Sequence, residues 1–145
     1  MMVGQAIALE AREWIGTPFV HCAQEKGVGC DCVGLFCGVS RAIGLFEHRP
    51  ATYSRQVDPA FLKGEIERFF DPVNDAPFSG DLVLLKVRDV PQHVAIVTGW
   101  GTIIHAYEPG VSRVVENSYR GPFVLGTVQI YRLKEVYETQ WQRSC

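Results

Sequence analysis

One cysteine of the chain lies where a helix is expected to begin. Residues 31–43 are apolar on nearly every side, with Asp31 suited to cap the start and Gly44 to end the helix. Cys32 then falls in the first turn, where free backbone N–H groups and the helix dipole favour a thiolate. The same N–H groups suit an oxyanion formed by attack on a carbonyl. Cys32 is therefore a candidate nucleophile, the alternative being a buried cysteine that packs like alanine.

Two of the four histidines lie on consecutive predicted strands. His93 begins one β-rich run and His105 lies near the end of the next, with Gly99 and Gly101 turning the chain between them. A hairpin of this length can place both imidazoles on one face, at the same end of the sheet. One ring can then act as a base while the other orients it, although a single strand-end histidine is usually a surface residue. Together with Cys32, the pair predicts a nucleophile, a base and a residue that orients the base.

Helices are predicted in the first half of the chain and strands in the second. Apolar spacing predicts an amphipathic helix in the first fifteen residues, and Asp58-Pro59 marks the start of another. Residues 19–30 lack a period and contain glycines, so they are predicted as a loop. Five β-rich runs then follow, at residues 81–87, 93–99, 102–107, 112–117 and 127–133, with turns predicted at Pro109-Gly110 and Gly121-Pro122. This order predicts one α+β domain over residues 1–145, with an antiparallel sheet of about five strands.

Composition excludes several classes of protein. The 14 basic and 16 acidic residues give a net charge of −2, which lacks the cationic surface that nucleic-acid binding requires. No apolar run approaches the roughly 18 residues of a membrane span, so no membrane partner is expected. The N-terminus has no secretory signal pattern, which predicts synthesis in the cytoplasm. An odd count of five cysteines argues against a disulfide framework.

Several short motifs together resemble the NlpC/P60 family of cysteine peptidases. Residues 31–36 (DCVGLF) are similar to the D-C-S/V-G-L-V nucleophile motif, and residues 16–19 (GTPF) to the upstream G-T-P-Y element. Residues 79–83 (SGDLV) are similar to the P-G-D-L strand opening. Residues 93–97 (HVAIV) and 104–106 (IHA) resemble the two histidine segments. The motifs occur in the family's order, and the DCVG variant is most similar to the phage and gene-transfer-agent branch of cell-wall peptidases.

This resemblance implies a papain-like fold in which a cysteine helix packs on an antiparallel sheet that carries the histidines. Members hydrolyse amide bonds in peptidoglycan stem peptides, commonly after γ-D-glutamate, without a metal or other cofactor. By resemblance Cys32 is the nucleophile, His93 the general base and His105 the residue that orients His93. The expected partners are peptidoglycan stem peptides and, for the phage branch, tail or particle proteins. The chain would then reach the cell wall by lysis, in a phage-like particle or through a secretion machine.

One residue departs from the family pattern. Phe19 stands where the family has a tyrosine whose hydroxyl points into the active site, and phenylalanine cannot donate a hydrogen bond. His21, two residues on, is a candidate replacement donor for the oxyanion. Asp31 is expected to cap the cysteine helix, and Trp100, in the turn between the histidine strands, is a candidate substrate contact.

Three other functions remain open from the sequence. The first is a Cys/His metal site, although zinc usually takes paired C-x₂₋₄-C ligands and the spacings here are C-x₇-C, C-x-C and C-x₄-C. The second is a catalytically weak or inactive phage tail or assembly component on the same fold. The third is an acyltransferase that uses the same cysteine and histidines. The residues of the possible metal site are His21, Cys22, Cys30, Cys32 and Cys37.

Overall fold

The computed structural model describes residues 1–107 and 110–145, with helices on an antiparallel sheet. The helices are α1 (Val3–Glu13), α2 (Cys32–Ala42), α3 (Pro59–Glu67), α4 (Pro122–Leu125) and α5 (Glu135–Ser144). The strands are β1 (Gln24–Glu25), β2 (Gly29–Cys30), β3 (Phe70–Val73), β4 (Leu82–Val87), β5 (Val90–Val97), β6 (Thr102–Tyr107), β7 (Arg113–Ser118) and β8 (Thr127–Leu133). None of the described helices is both long and apolar enough to cross a bilayer.

The main sheet has the strand order β3-β8-β4-β5-β6-β7, and every neighbouring pair is antiparallel. The predicted α+β class is confirmed, but the sheet has six strands rather than about five. The additional strand is β3, which contains Pro72 and lies at the edge of the sheet. Proline is tolerated there because an edge strand leaves some N–H positions unpaired, yet it makes a strand hard to recognise from sequence.

Other local differences lie in segments with weak sequence patterns. The predicted loop 19–30 contains the two-stranded sheet β1–β2, and Pro122 begins the short helix α4 where a turn was predicted. The C-terminal helix α5 was not predicted, because it is mostly polar. Its Trp141 packs on the core and donates from Nε1 to the Ile43 carbonyl over 3.0 Å. Of the predicted turn Pro109-Gly110, Pro109 lies outside the described residues.

Helix α2 is the buried centre of the domain. Asp31 caps it as predicted, and residues 32–40 are all buried. The helix packs against α1 and against the neighbouring strands β5 and β6. Gly34 permits a close approach, because a Cβ at this position would lie 1.9 Å from the Ala23 carbonyl oxygen. The packing therefore holds the start of α2 against the strands that carry His93 and His105.

Candidate active site

Asp31 organises the start of α2 through both carboxylate oxygens. Oδ1 accepts a hydrogen bond from the Gly34 backbone N–H over 2.8 Å, which is a normal helix cap. Oδ2 accepts from the Cys22 backbone N–H over 2.7 Å and from the Tyr53 hydroxyl. Asp31 is 3% exposed, and these three contacts give both of its buried carboxylate oxygens hydrogen-bond partners. They fix the backbone immediately before Cys32.

The Cys32 thiol is buried at the first turn of α2 and is 6% exposed. Burial, together with the charge of Asp31, raises its pKa to about 12, although backbone N–H groups of Val94, Val33 and Cys32 itself act in the opposite direction. The backbone N–H groups at the helix start favour the thiolate, but desolvation is the larger effect, so the thiol pKa is raised and not lowered as expected from sequence. A free thiol at neutral pH needs a base to remove its proton.

His93, His105 and Asn117 form a chain of hydrogen bonds across three strands. His93 Nε2 lies 2.7 Å from His105 Nδ1, and His105 Nε2 lies 2.7 Å from Asn117 Oδ1. Because an amide oxygen only accepts, His105 carries its proton on Nε2 and accepts through Nδ1. His93 then donates from Nε2, which leaves its Nδ1 unprotonated. The chain thus prepares His93 Nδ1 to accept a proton.

Burial keeps both histidines neutral. It lowers the pKa of His93 to about 3, with a further lowering by His105. Burial also lowers the pKa of His105, against the hydrogen bond to Asn117, which acts to raise it. Neutral imidazoles agree with the proton positions that the hydrogen bonds require. The resting pair is therefore a thiol and a neutral base.

A cavity of about 400 Å³ brings together the candidates from the two halves of the chain. Cys32 and His93 both line it, whereas His105 is fully buried behind His93. The other predicted residues in its lining are Phe19, His21 and Asp31. The phenyl ring of Phe19 thus lies at the cavity without a hydroxyl to offer.

His21 and Trp100 are placed differently. His21 lines the cavity, but its Nε2 lies 2.8 Å from the Tyr53 carbonyl oxygen and its Nδ1 lies 3.7 Å from Asp31 Oδ2. Trp100 is not among the cavity residues. It lies in the β5–β6 turn, 45% exposed, and donates from Nε1 to Glu116 over 2.7 Å. His93 and His105 both lie in the halves of β5 and β6 that are farther from this turn.

The five-residue Cys/His cluster is not assembled. Among the described residues, one group can offer three or more metal-ligating side chains, and it consists of His21, Cys22 and Asp31. Cys30 and Cys37 are buried, and burial raises the pKa of each thiol to about 12. These two cysteines therefore pack as small apolar residues.

Sequence reasoning missed Asn117 and Tyr53. Asn117 pairs with Ile103 in the β6–β7 register, which puts it on the same face as His105. Only the strand register shows that Asn117 faces His105. The sequence does not determine this register, because residues 116–118 are all polar and give no apolar alternation. Tyr53 lies outside the helices and strands, so no periodic pattern connects it to Asp31.

Comparisons with known proteins identify the family and the fold. The sequence profile described as "NlpC/P60 family" matches residues 16–143. The NlpC/p60 domain of the peptidoglycan hydrolase SagA is 26% identical, with a TM-score of 0.58, over 90% of this chain and 97% of that one. NlpC1 from Trichomonas vaginalis is 21% identical, with a TM-score of 0.68, over 91% of this chain and 44% of that one.

A third relative differs in activity. RipD from Mycobacterium tuberculosis is 16% identical, with a TM-score of 0.60, over 91% of this chain and 97% of that one. It is described as a non-catalytic NlpC/p60 domain protein adapted to peptidoglycan binding. No curated protein matches significantly. Solved structures of this fold therefore include both a peptidoglycan hydrolase and a non-catalytic protein.

Proposed function

The chain belongs to the NlpC/P60 family, and from this premise we propose that it is a cysteine peptidase that cleaves peptidoglycan stem peptides. The cleaved bond is the amide after γ-D-glutamate. The chain is phage- or prophage-related and acts on the cell wall as part of a phage-like particle. The family match and the hydrolase SagA support the substrate class, while the DCVG motif at residues 31–34 supports the phage relation.

The observation that carries the peptidase proposal is the chain from Asn117 through His105 to His93. It leaves His93 Nδ1 as the nitrogen available to Cys32 in the shared cavity. In the first step His93 takes the Sγ proton while Cys32 attacks the amide carbonyl carbon. The protonated His93 then gives this proton to the leaving amine, and the C–N bond breaks. Water next hydrolyses the acyl-enzyme, with His93 again as the base.

The developing oxyanion needs donors. The free backbone N–H groups at the start of α2, including that of Cys32, supply at least one. Phe19 supplies none, and His21 is the nearby side chain that we propose as the second donor. To do so, His21 would have to turn an N–H from Asp31 or Tyr53 toward the substrate. This requirement predicts slow turnover.

Peptidoglycan binding without hydrolysis is the second candidate function. It is favoured by Phe19 at the cavity, where the hydroxyl expected from the family resemblance is missing, and by the existence of the non-catalytic relative RipD. The two candidates predict the same ligand but different products. Only the peptidase needs Cys32 and His93 as reacting groups.

Mass spectrometry of defined muropeptides separates the two functions. Wild-type protein should cleave at γ-D-glutamate, whereas Cys32→Ala should bind the same muropeptide without cleaving it. His93→Ala should lose about 10²–10⁴-fold in rate. Cys145→Ala is the matched control, because Cys145 is exposed at the C-terminus and should leave the rate unchanged. Binding by wild type with no product would establish the non-catalytic function instead.

A further inference from the structure

Three donor atoms converge beside the catalytic cavity, and two of them, on Cys22 and Tyr53, have no part in the proposed hydrolysis. Cys22 Sγ lies 3.2 Å from His21 Nε2 and 3.6 Å from the Tyr53 carbonyl oxygen, and His21 Nε2 lies 2.8 Å from that same oxygen. Bonds from zinc to nitrogen and sulfur of about 2.0 and 2.3 Å put neighbouring tetrahedral ligand atoms about 3.5 Å apart. The three atoms are therefore already close to the separations of a metal site.

The surroundings supply charge and orientation for a cation. Asp31 offers a carboxylate oxygen within 4.8 Å of the ligand atoms of His21 and Cys22. In the structure His21 Nε2 donates to the Tyr53 carbonyl oxygen, so metal binding requires the imidazole proton to move from Nε2 to Nδ1. Asp31 Oδ2 lies 3.7 Å from Nδ1 and is the acceptor toward which the relocated proton would point. The His21 side chain is 23% exposed, which gives an ion a path from solvent.

We propose that His21 Nε2, Cys22 Sγ and the Tyr53 carbonyl oxygen bind a zinc-class divalent cation, with water as the fourth ligand. A thiolate and an imidazole are softer ligands than carboxylates or water, so they favour a metal of intermediate softness such as Zn²⁺ over the hard cations Mg²⁺ and Ca²⁺. On binding, the Cys22 thiol gives its proton to solvent, and the metal replaces the His21–Tyr53 contact. The ion is structural and supplies no group to peptide hydrolysis, and while it is bound His21 cannot serve as the oxyanion donor.

The consequence is a link between two segments of the cavity wall. The first segment contains His21 and Cys22, and the second contains Tyr53 and continues into residues 55–57. His21 and residues 55–57 line the same cavity. An ion held by both segments would fix this wall relative to the start of α2. Binding should therefore raise the thermal midpoint of the protein, because it favours the folded state.

Cobalt(II) and zinc titrations test the site with four proteins: wild type, Cys22→Ser, Cys32→Ala and Cys145→Ala. Wild type, Cys32→Ala and Cys145→Ala should bind one equivalent, show a thiolate-to-cobalt charge-transfer absorption and gain thermal stability with zinc. Cys22→Ser should lose the absorption and the stabilisation, with affinity weakened more than about 100-fold, beyond the loss of an outer-shell partner. Cys22→Ala serves as a second variant if the serine protein does not fold.

Two results would overturn the proposal. The first is wild-type protein that binds no cobalt or zinc stoichiometrically. The second is an absorption that survives Cys22→Ser but disappears in Cys32→Ala, which would place the ion on the catalytic thiol. Neither result affects the peptidase proposal, since muropeptide cleavage is measured separately and without added metal.

Discussion

Asn117 Oδ1 accepts a hydrogen bond from His105 Nε2 over 2.7 Å, and this contact determines where the protons lie in both histidines. If the Asn117 oxygen were absent, His105 could carry its proton on Nδ1 instead. It could then no longer accept from His93 Nε2, and His93 could present an N–H to Cys32 rather than a lone pair. A partly buried amide on β7 thus controls the base on β5.

Replacing Asn117 tests this control. Asn117→Ala should lower kcat between about 10- and 100-fold with little change in KM, the range expected for a partner that orients a functional group. Asn117→Asp keeps an acceptor and should recover most of the rate. Its added negative charge should also raise the pKa of the acid limb of the pH–rate profile. Equal losses in the two variants, with no pH shift, would contradict the argument.

His105 should tolerate an amide better than a small apolar side chain. His105→Ala leaves His93 Nε2 without an acceptor, so it should damage kcat, though less than His93→Ala. His105→Gln can accept from His93 and still donate to Asn117, so it should restore part of the loss. Steady-state kinetics on a defined muropeptide compares the three variants. A glutamine variant no better than alanine would show that the ring itself is required.

Acid should destabilise the protein through His93. The pKa of His93 is about 3 in the folded protein against 6.5 for the ordinary side chain, so the folded state resists protonation. Above pH 6.5 His93 is neutral in both the folded and the unfolded state and adds no pH dependence. As the pH falls from 6.5 toward 3, the unfolded state takes up a proton that the folded state does not, so the free energy of unfolding decreases by up to about 1.4 kcal/mol per pH unit. Urea unfolding of wild type and His93→Gln measures it. The variant should show the shallower decline below pH 6.5, and parallel declines would contradict the assignment.

Restoring the missing hydroxyl should speed the reaction. Phe19→Tyr places a donor at the cavity and should raise kcat by up to about 10²-fold, the contribution of one oxyanion donor. His21→Ala should lower kcat if His21 now serves as that donor. No gain in the first variant and no loss in the second would mean that neither side chain contacts the reacting carbonyl. The assignment of Cys32 and His93 would be unaffected.

Two helical glycines should respond to alanine in opposite ways. Gly34→Ala would place a Cβ 1.9 Å from the Ala23 carbonyl oxygen, so it should lower the free energy of unfolding by about 1–3 kcal/mol. Gly64, in α3, has nothing within 4 Å of an added Cβ. Gly64→Ala should therefore stabilise by about 0.5–1 kcal/mol, because alanine loses less backbone entropy than glycine. Denaturant titrations give both values.

Local physics made some of these features predictable from sequence. Capping of α2 by Asp31 depends on residues three positions apart, so the first turn and the place of Cys32 could be predicted. The pairing of His93 with His105 also followed from a short hairpin, because strand periodicity and turn position determine which side chains share a face. Edge strand β3 was missed, because Pro72 conceals its extended conformation.

Interactions between distant segments decided the rest. The sequence by itself determined helices α1–α3, strands β4–β8, the cap at Asp31 and the likeness of its motifs to one family. The tertiary structure decided that Tyr53 reaches Asp31 and that Asn117 reaches His105, because loop paths and strand register depend on the packing of the whole domain. It also decided that desolvation outweighs the helix N-terminus at Cys32. Burial is a property of the assembled core, and no local pattern contains it.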